Sequence, residues 1–447
     1  MGSWSTLRLG DVVFDSWKNQ VDDSIMVLFS ESEKRVQQIP PDPDEKALGN
    51  DDDPSTLLRV EYVANIEVLK KRLDFLGFTL NTCRQIFDIA KAQEINDCKK
   101  WTENLNPNLR DETKKQLNEH YSRRINLLSQ SDADTWLLEL RRAFLTPPDT
   151  DLSQLSELAS SFREERSPQR RFPGTYDERF RLRFEIEALQ TGEAVLDISD
   201  LVDGGYCSPS DPLSSWAREW VHARDREALH LIVLTEGSSD RFILESALRV
   251  LRPELTEYIS FMDFAAFKVE GGASFLANIV RSFAGAGIRD RIVAIFDNDT
   301  AGCSAQSMLL KQDLPDNLKV MRYPDIVLAQ NYPTQGPSGH VTMDVNGSAA
   351  SIELYLGRDV LTELSGDLVP VQWKALDPSM KRYQGEVMGK RGCINRFAEK
   401  LHRLERSSET PDLSDWRDLG VIVDAICSAF EGTDRDFLLD ETNEIAN

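Results

Sequence analysis

The sequence predicts an α/β chain: a parallel sheet flanked by helices, preceded by a mainly helical α+β N-terminal domain. Two observations carry that prediction. From Leu229 on, short apolar runs at Leu231–Thr235, Ile259–Phe264, Ile292–Phe296 and Leu318–Arg322 alternate with helical stretches at Asp240–Leu251, Ala273–Ala284 and Ala301–Lys311, as parallel βαβ units require. Upstream, Val60, Val63, Ile66, Leu69, Leu73 and Leu76 recur at the three- and four-residue steps of a helix. At 447 residues the chain has room for two or three domains. Its six cysteines (Cys83, Cys98, Cys207, Cys303, Cys393, Cys427) form no C-x-x-C pair, which argues against a structural zinc site and a disulfide framework.

The elements follow in order. Leu7–Asp15 and Ile25–Ser30 are strand-like runs of a small sheet, and the acidic, proline-rich stretch at 40–54 reads as a solvated loop. Helical periodicity covers Leu57–Trp101 and then Leu109–Leu145, where Pro147 and Pro148 stop it; Asp151 can cap a short helix reaching Arg166. Arg163–Arg183 holds seven arginines against four acidic residues and reads as a phosphate-contacting patch or as a solvated, ion-paired linker. Beyond the α/β segment, Gly336–Asn346 reads as loop, Ile352–Tyr355 as a short element, and Ile394–Arg403 and Trp416–Phe430 as helices. The expected domains are 1–205, 225–360 and a helical extension over 361–447.

Charge constrains function. Lys plus Arg number 52 against 75 Asp plus Glu, a net charge of −23, so a nucleic-acid role needs bound cations, a local basic stripe or a cationic partner. The stretch Lys374–Arg406 supplies such a stripe, with Lys381, Arg382, Arg396 and Lys400 as candidate nucleic-acid contacts. No apolar run reaches the roughly 18 residues of a membrane span, and the N-terminus lacks a signal-peptide core, so the expectation is a cytoplasmic protein with no membrane partner.

Two strand ends carry carboxylates. Leu231–Thr235 runs into Glu236-Gly237-Ser238-Ser239-Asp240, and Ile292–Phe296 into Asp297-Asn298-Asp299, each opening a helix. Side chains that follow the C-terminal ends of parallel strands converge on one edge of the sheet. Carboxylates so placed, with no cation inside either cluster, suit hard ions such as Mg²⁺ or Mn²⁺; acidic turn residues and helix caps are the alternative.

As a set these motifs resemble the TOPRIM fold of topoisomerases, primases and OLD-family nucleases, over about Leu229 to Gly357. The resemblance implies that Glu236 is the leading glutamate, that Asp297 and Asp299 bind metal, and that Asp240 is the second acidic residue of OLD-type members. Ser351-Ile-Glu353-Leu-Tyr355 is similar to the acidic element placed after the core sheet, making Glu353 a fifth ligand, and Lys390 stands for the lysine that stabilises charge. It implies a Mg²⁺- or Mn²⁺-dependent nuclease acting on DNA or RNA. The P-loop spacing of OLD ATPases is absent, so nucleotide-driven control would come from an ATPase or sensor protein encoded nearby; a homo-oligomer is also compatible.

Met1-Gly-Ser-Trp-Ser-Thr-Leu-Arg-Leu-Gly10, Leu28-Phe-Ser-Glu-Ser-Glu, Glu61-Tyr62 and Arg72-Leu-x-x-Leu-Gly77-Phe-Thr look like the N-terminal module called HEPN/Toprim-associated, over roughly the first 200 residues. That resemblance implies a place in bacterial anti-phage defence. Two readings compete with the nuclease: a non-catalytic nucleic-acid or metal-binding sensor subunit, and a metal-independent HEPN-type ribonuclease, whose Arg-to-His spacing occurs at Arg224–His230 and Arg396–His402.

Overall fold

The computed structural model describes residues 2–39, 57–106, 108–147, 149–164, 171–174, 177–224, 230–264, 271–288, 290–337, 339–378, 380–406 and 413–431. The chain divides into two compact units, with the boundary between Arg224 and Asp225. The acidic loop expected at 40–54 lies outside the described residues.

The N-terminal unit contains strands β1 (Trp4–Leu9), β2 (Val12–Lys18), β3 (Lys34–Ile39), β4 (Leu57–Asn65) and β5 (Glu193–Asp197). They form one antiparallel sheet in the order β2-β1-β5-β4-β3. Alternation sets its faces: along β1, Ser5, Leu7 and Leu9 point inward between more exposed neighbours. Its helices are α1 (Asp23–Met26), α2 (Ile66–Phe75), α3 (Leu80–Glu103), α4 (Asp111–Gln130), α5 (Ala133–Leu145), α6 (Glu157–Glu164), α7 (Glu178–Leu189), α8 (Ser199–Asp203) and α9 (Leu213–Arg224). Phe87 sits at the centre of the helical core, against Trp136, Phe172 and Phe184.

Three expectations change here. Residues 57–65 are a strand, not the start of a helix: Val60, Tyr62 and Ala64 alternate inward between β3 and β5, and Asn65 caps α2 through the amide of Glu67. Ile25–Ser30 is not a strand, because Asp22 caps α1 and Ser30 caps a single 3₁₀ turn with Glu33. The arginine cluster keeps the expected ion pairs, but on α7 they are buried rather than solvated and offer no phosphate patch. Arg179, Arg181 and Arg183 are buried on α7. Arg181 bonds Asp15 at 2.6 Å and Glu178 at 2.7 Å, and Arg183 bonds Asp74 and Glu187, each at 2.8 Å. Arg166 and Arg170 lie outside the described residues.

The C-terminal unit opens with the predicted alternation: β6 (Leu231–Leu234), α10 (Ser238–Leu251), β7 (Ile259–Phe261), α11 (Ala273–Ala286), β8 (Arg291–Phe296), β9 (Asn298–Asp299), α12 (Thr300–Leu309) and β10 (Leu318–Arg322). β6, β7, β8 and β10 form a parallel sheet in the order β10-β8-β6-β7. β8 is buried along its whole length, as a strand covered on both faces must be, and Ile292, Ala294 and Phe296 pack with Leu276 and Val280 of α11 and Leu309 of α12.

The unit continues with β11 (Tyr332–Gly336), β12 (Gly339–Met343), β13 (Ala349–Ala350), a 3₁₀ turn at Ile352–Tyr355, α13 (Arg358–Leu361), β14 (Val371–Asp377), β15 (Arg382–Val387), α14 (Lys390–Arg406) and α15 (Arg417–Cys427). β12-β11-β14-β15 form a second, mixed sheet. The stretch read as loop at Gly336–Asn346 contains the hairpin strand β12. The region from 361 on begins with two strands before its helices, and it lies in the same compact unit as the parallel sheet.

Candidate metal centre

β6 and β8 are parallel neighbours, with Leu234 beside Ala294, so the residues that follow them emerge together at the C-terminal edge of the sheet. Glu236 leaves β6 and its Oε1 accepts the backbone N–H of Asp297 at 2.9 Å, which joins the two motifs directly. Asp240 is buried on the first turn of α10. Asp299 caps α12 by accepting the N–H of Gly302 at 2.8 Å.

Two glycines permit the close approach. A Cβ on Gly302 would stand 2.1 Å from the carbonyl oxygen of Asp297, and one on Gly271 would stand 2.3 Å from that of Glu236. Both obstacles are main chain, so neither position takes a side chain without moving the strand ends.

A two-residue ladder brings in the more distant part of the sequence. β9 pairs antiparallel with β13, Asp299 with Ala349 and Asn298 with Ala350. The turn after β13 then delivers the N–H of Ile352 to Asp297 Oδ1 at 3.2 Å and places Glu353 at the site, where its Oε2 accepts the hydroxyl of Ser351 at 2.5 Å. Lys390, the first residue of α14, stands with its Nζ 3.6 Å from Glu353.

Glu236, Asp240, Asp297, Asp299, Glu353 and Lys390 thus fall within one another's electrostatic reach. Burial pushes the Glu236 carboxyl up to about 8, with the charges of Asp299 and Asp240 adding to the shift. Burial and then Glu353 push Asp240 up to about 7. Asp297 is raised well above the carboxylate range, by burial and then by Asp240, Glu236, Asp299 and Glu353. Burial alone would lower the Lys390 ammonium, but Glu353, Asp297, Asp240 and Asp299 hold it above its ordinary value. One lysine faces five carboxyls, a site short of positive charge.

The donor chemistry fits a hard divalent cation: all oxygen, crowded, and repelled into proton uptake until a cation offsets it. The geometry is not that of a closed cage. Among the described residues no three His, Cys, Asp or Glu side chains already converge on one ion position. Their oxygens are turned onto main-chain amides, on Gln384 or on Lys390.

Sequence reasoning missed Gln384, whose amide donates to Asp299 and whose Oε1 accepts the N–H of Ala301 at 3.1 Å. Nothing in Arg382-Tyr-Gln-Gly-Glu-Val387 marks it. It also missed Asn298, which holds Asp325 and the N–H of Gly347.

The basic stripe does not form one exposed face. Lys381 and Arg382 are exposed, but Lys400 is buried and its ammonium is spent on Asp359 and the carbonyls of Leu356 and Asp415. Arg396 turns inward to the carbonyl of Val360 at 2.6 Å. That contact also removes Arg396 as a partner for His402, which is exposed beside Glu405 at 3.3 Å. Six residues along a helix leave the two side chains about 120° apart in any case. The side chain of Arg224, in the other candidate pair, lies outside the described residues.

Neither a curated protein nor a solved structure matches the chain. Residues 1–220 do match a family model, ending within α9, four residues short of the end of the N-terminal unit at Arg224. Over these residues the protein is similar to the family described as HEPN/Toprim N-terminal domain 1.

Proposed function

We propose that the C-terminal unit is a TOPRIM-type nuclease that hydrolyses phosphodiester bonds of nucleic acid with Mg²⁺ or Mn²⁺. The observation that carries this reading is the carboxylate cluster at the C-terminal edge of a parallel sheet, three of whose members are raised toward protonation by burial and mutual charge. Glu236, Asp297 and Asp299 would hold one ion, and Asp240 and Glu353 would complete a second position. Bound there, the ions supply Lewis acidity toward the phosphate and a water of lowered pKa.

The chain's own residues do the positioning. Glu236 and Asp297 are fixed to each other through the Asp297 amide, and Asp299 is fixed by Gly302 and Gln384. Lys390 keeps its proton at neutral pH and directs an ammonium at the charge that builds on the phosphoryl oxygens. The similarity of residues 1–220 to HEPN/Toprim N-terminal domain 1 supports a defence-related module, and we place the protein as a cytoplasmic effector of a bacterial anti-phage system controlled by a partner. Among the described residues no helix is long and apolar enough to cross a membrane.

A second reading is favoured by the open geometry: a sensor subunit that binds nucleic acid or metal without cutting. One assay separates the readings. Purified protein is incubated with plasmid, single-stranded DNA and tRNA in Mg²⁺ or Mn²⁺, alone and with the product of the neighbouring gene. Cleavage abolished by EDTA and by Glu236→Gln or Asp299→Asn supports the nuclease. No cleavage of any substrate supports the sensor. Cleavage that survives EDTA would overturn both readings.

A further inference from the structure

The mixed sheet carries a groove of about 490 Å³, lined by Val341, Met343, Ser348, Trp373, Arg382 and Tyr383 among others. Its surface is mostly apolar and aromatic yet open, with Asp344 also on its rim: Tyr383 is 57% exposed, Val341 47% and Met343 45%. Trp373 lies over Gly385, its partner across the strands, where a Cβ would stand 3.1 Å from the ring. The indole N–H is buried and makes no hydrogen bond among the described residues.

One end of this groove adjoins the carboxylate cluster. The carbonyl of Tyr383 accepts the Thr300 hydroxyl at 2.9 Å, the next residue, Gln384, holds Asp299, and Ser348 bridges to Asp299 along the chain. At that end the Arg382 guanidinium lies beside Gly347, 3.2 Å from where a Cβ would be, and makes no ion pair among the described residues. Lys374, further along, is spent on Glu386.

Ring faces, an apolar floor and one uncommitted guanidinium beside a phosphate-cutting site are what an unpaired nucleotide requires. Its base stacks on aromatic side chains and its phosphate meets the cation. Duplex bases already stack on one another and offer no free face. We infer that this groove holds an unpaired base flanking the scissile phosphate, making the substrate single-stranded nucleic acid. The inference rests on the reading of the carboxylate cluster as a nuclease site.

The test reads binding apart from cleavage. Fluorescein-labelled dT₁₅, U₁₅ and a 15-base-pair duplex are titrated by anisotropy, with Ca²⁺ in place of Mg²⁺ so that the strand is held without turnover. Tyr383→Ala should raise Kd for the single strands at least about five-fold, Tyr383→Phe should restore it, and duplex binding should be unchanged. Arg382→Gln should weaken single-strand binding and lower its log–log salt slope by about 0.7. The ratio of dT₁₅ to U₁₅ affinity tells DNA from RNA. Parent-like single-strand affinity in Tyr383→Ala, or an equal loss on the duplex, would overturn the inference. Tyr383-dependent binding by a protein that cuts nothing in Mg²⁺ or Mn²⁺ would sustain the groove and defeat the nuclease reading, whereas cutting with Tyr383-independent binding would do the reverse.

Discussion

Both units bury ionisable groups, and they do so in opposite ways. In the N-terminal unit, α7 sets Arg179, Arg181 and Arg183, with Arg171, against Asp177, Asp15, Glu178, Glu185, Asp74 and Glu187, so each cation meets carboxylates at hydrogen-bonding distance or little beyond. In the C-terminal unit five carboxyls share Lys390. Compensated charge serves the fold: the arginines of α7 tie β2, α2 and their own helix together. Uncompensated charge is a cost to the fold that becomes intelligible once a cation is expected to arrive from solution.

The contrast can be broken by substitution. Arg181→Ala should have the largest effect on stability, about 3–5 kcal/mol, because it strands buried Asp15 and leaves Glu185 with Arg171 alone; it also removes the guanidinium that covers Phe14 at 3.8 Å. Urea unfolding measures this, and a loss under 1 kcal/mol would show the network to be dispensable.

Asp297→Asn should reverse that pattern. Cleavage should fall at least about 100-fold, or about 2.7 kcal/mol in activation free energy. The variant should melt no lower than the parent, since burial and its neighbours already favour the neutral form of Asp297 and the amide cannot take up the repelling charge. The same logic predicts that Mg²⁺ raises the parent's melting temperature, and more so as pH climbs through about 7 and about 8, where Asp240 and Glu236 lose their protons. Carboxyls raised in the folded chain contribute stability at low pH that is lost as pH passes those values, and the ion offsets that loss. Differential scanning fluorimetry with and without Mg²⁺ across that window is the measurement; parallel curves would count against the site.

Even the compensated helix carries a residue of the same tension. Burial pushes Glu185 from 4.5 up to about 7 despite Arg181 and Arg171. Its contribution to stability is complete below pH 4.5 and is lost as pH rises through about 7. Glu185→Gln should flatten that decline, which unfolding at a series of pH values would reveal as a change of slope.

The smallest effect separates the two kinds of basic residue on the C-terminal unit. Lys381→Gln should lower the salt slope of nucleic-acid binding by no more than about 0.7–0.9 with the fold untouched, while Lys400→Met should lower the melting temperature instead. If both behaved alike, burial of Lys400 would not be deciding its role.

Legibility followed the same division. The strands Leu231–Leu234 and Arg291–Phe296 were readable because both faces of a parallel sheet are covered, which leaves an uninterrupted apolar run. The carboxylates following them were readable for the same reason, since a strand end locates them. β14 and β15 were missed because one face is exposed and their sequences, Val-Gln-Trp-Lys-Ala-Leu-Asp and Arg-Tyr-Gln-Gly-Glu-Val, carry no such run. Leu57–Asn65 misled because Val60, Val63 and Ile66 satisfy helical steps while Val60, Tyr62 and Ala64 satisfy strand alternation, and only the partners β3 and β5 decide between them. Burial of Lys400, Arg181 and Arg183 was invisible for a further reason: each has a partner far along the chain, Asp359, Asp15 and Asp74 in turn, and composition alone reads such a cation as solvated.

The short ladder between Asn298–Asp299 and Ala349–Ala350 has a bearing on how such chains diverge. It works as a clasp: whatever the chain does between Arg322 and Ser348, including the whole β11–β12 hairpin, Glu353 returns to the same spot because it follows the clasp directly. Related chains should therefore keep the interval from Ala349 to Glu353 constant while gaining or losing residues freely in the excursion before it. Length variation there becomes a register of how neighbouring surfaces are exchanged around a fixed set of carboxylates.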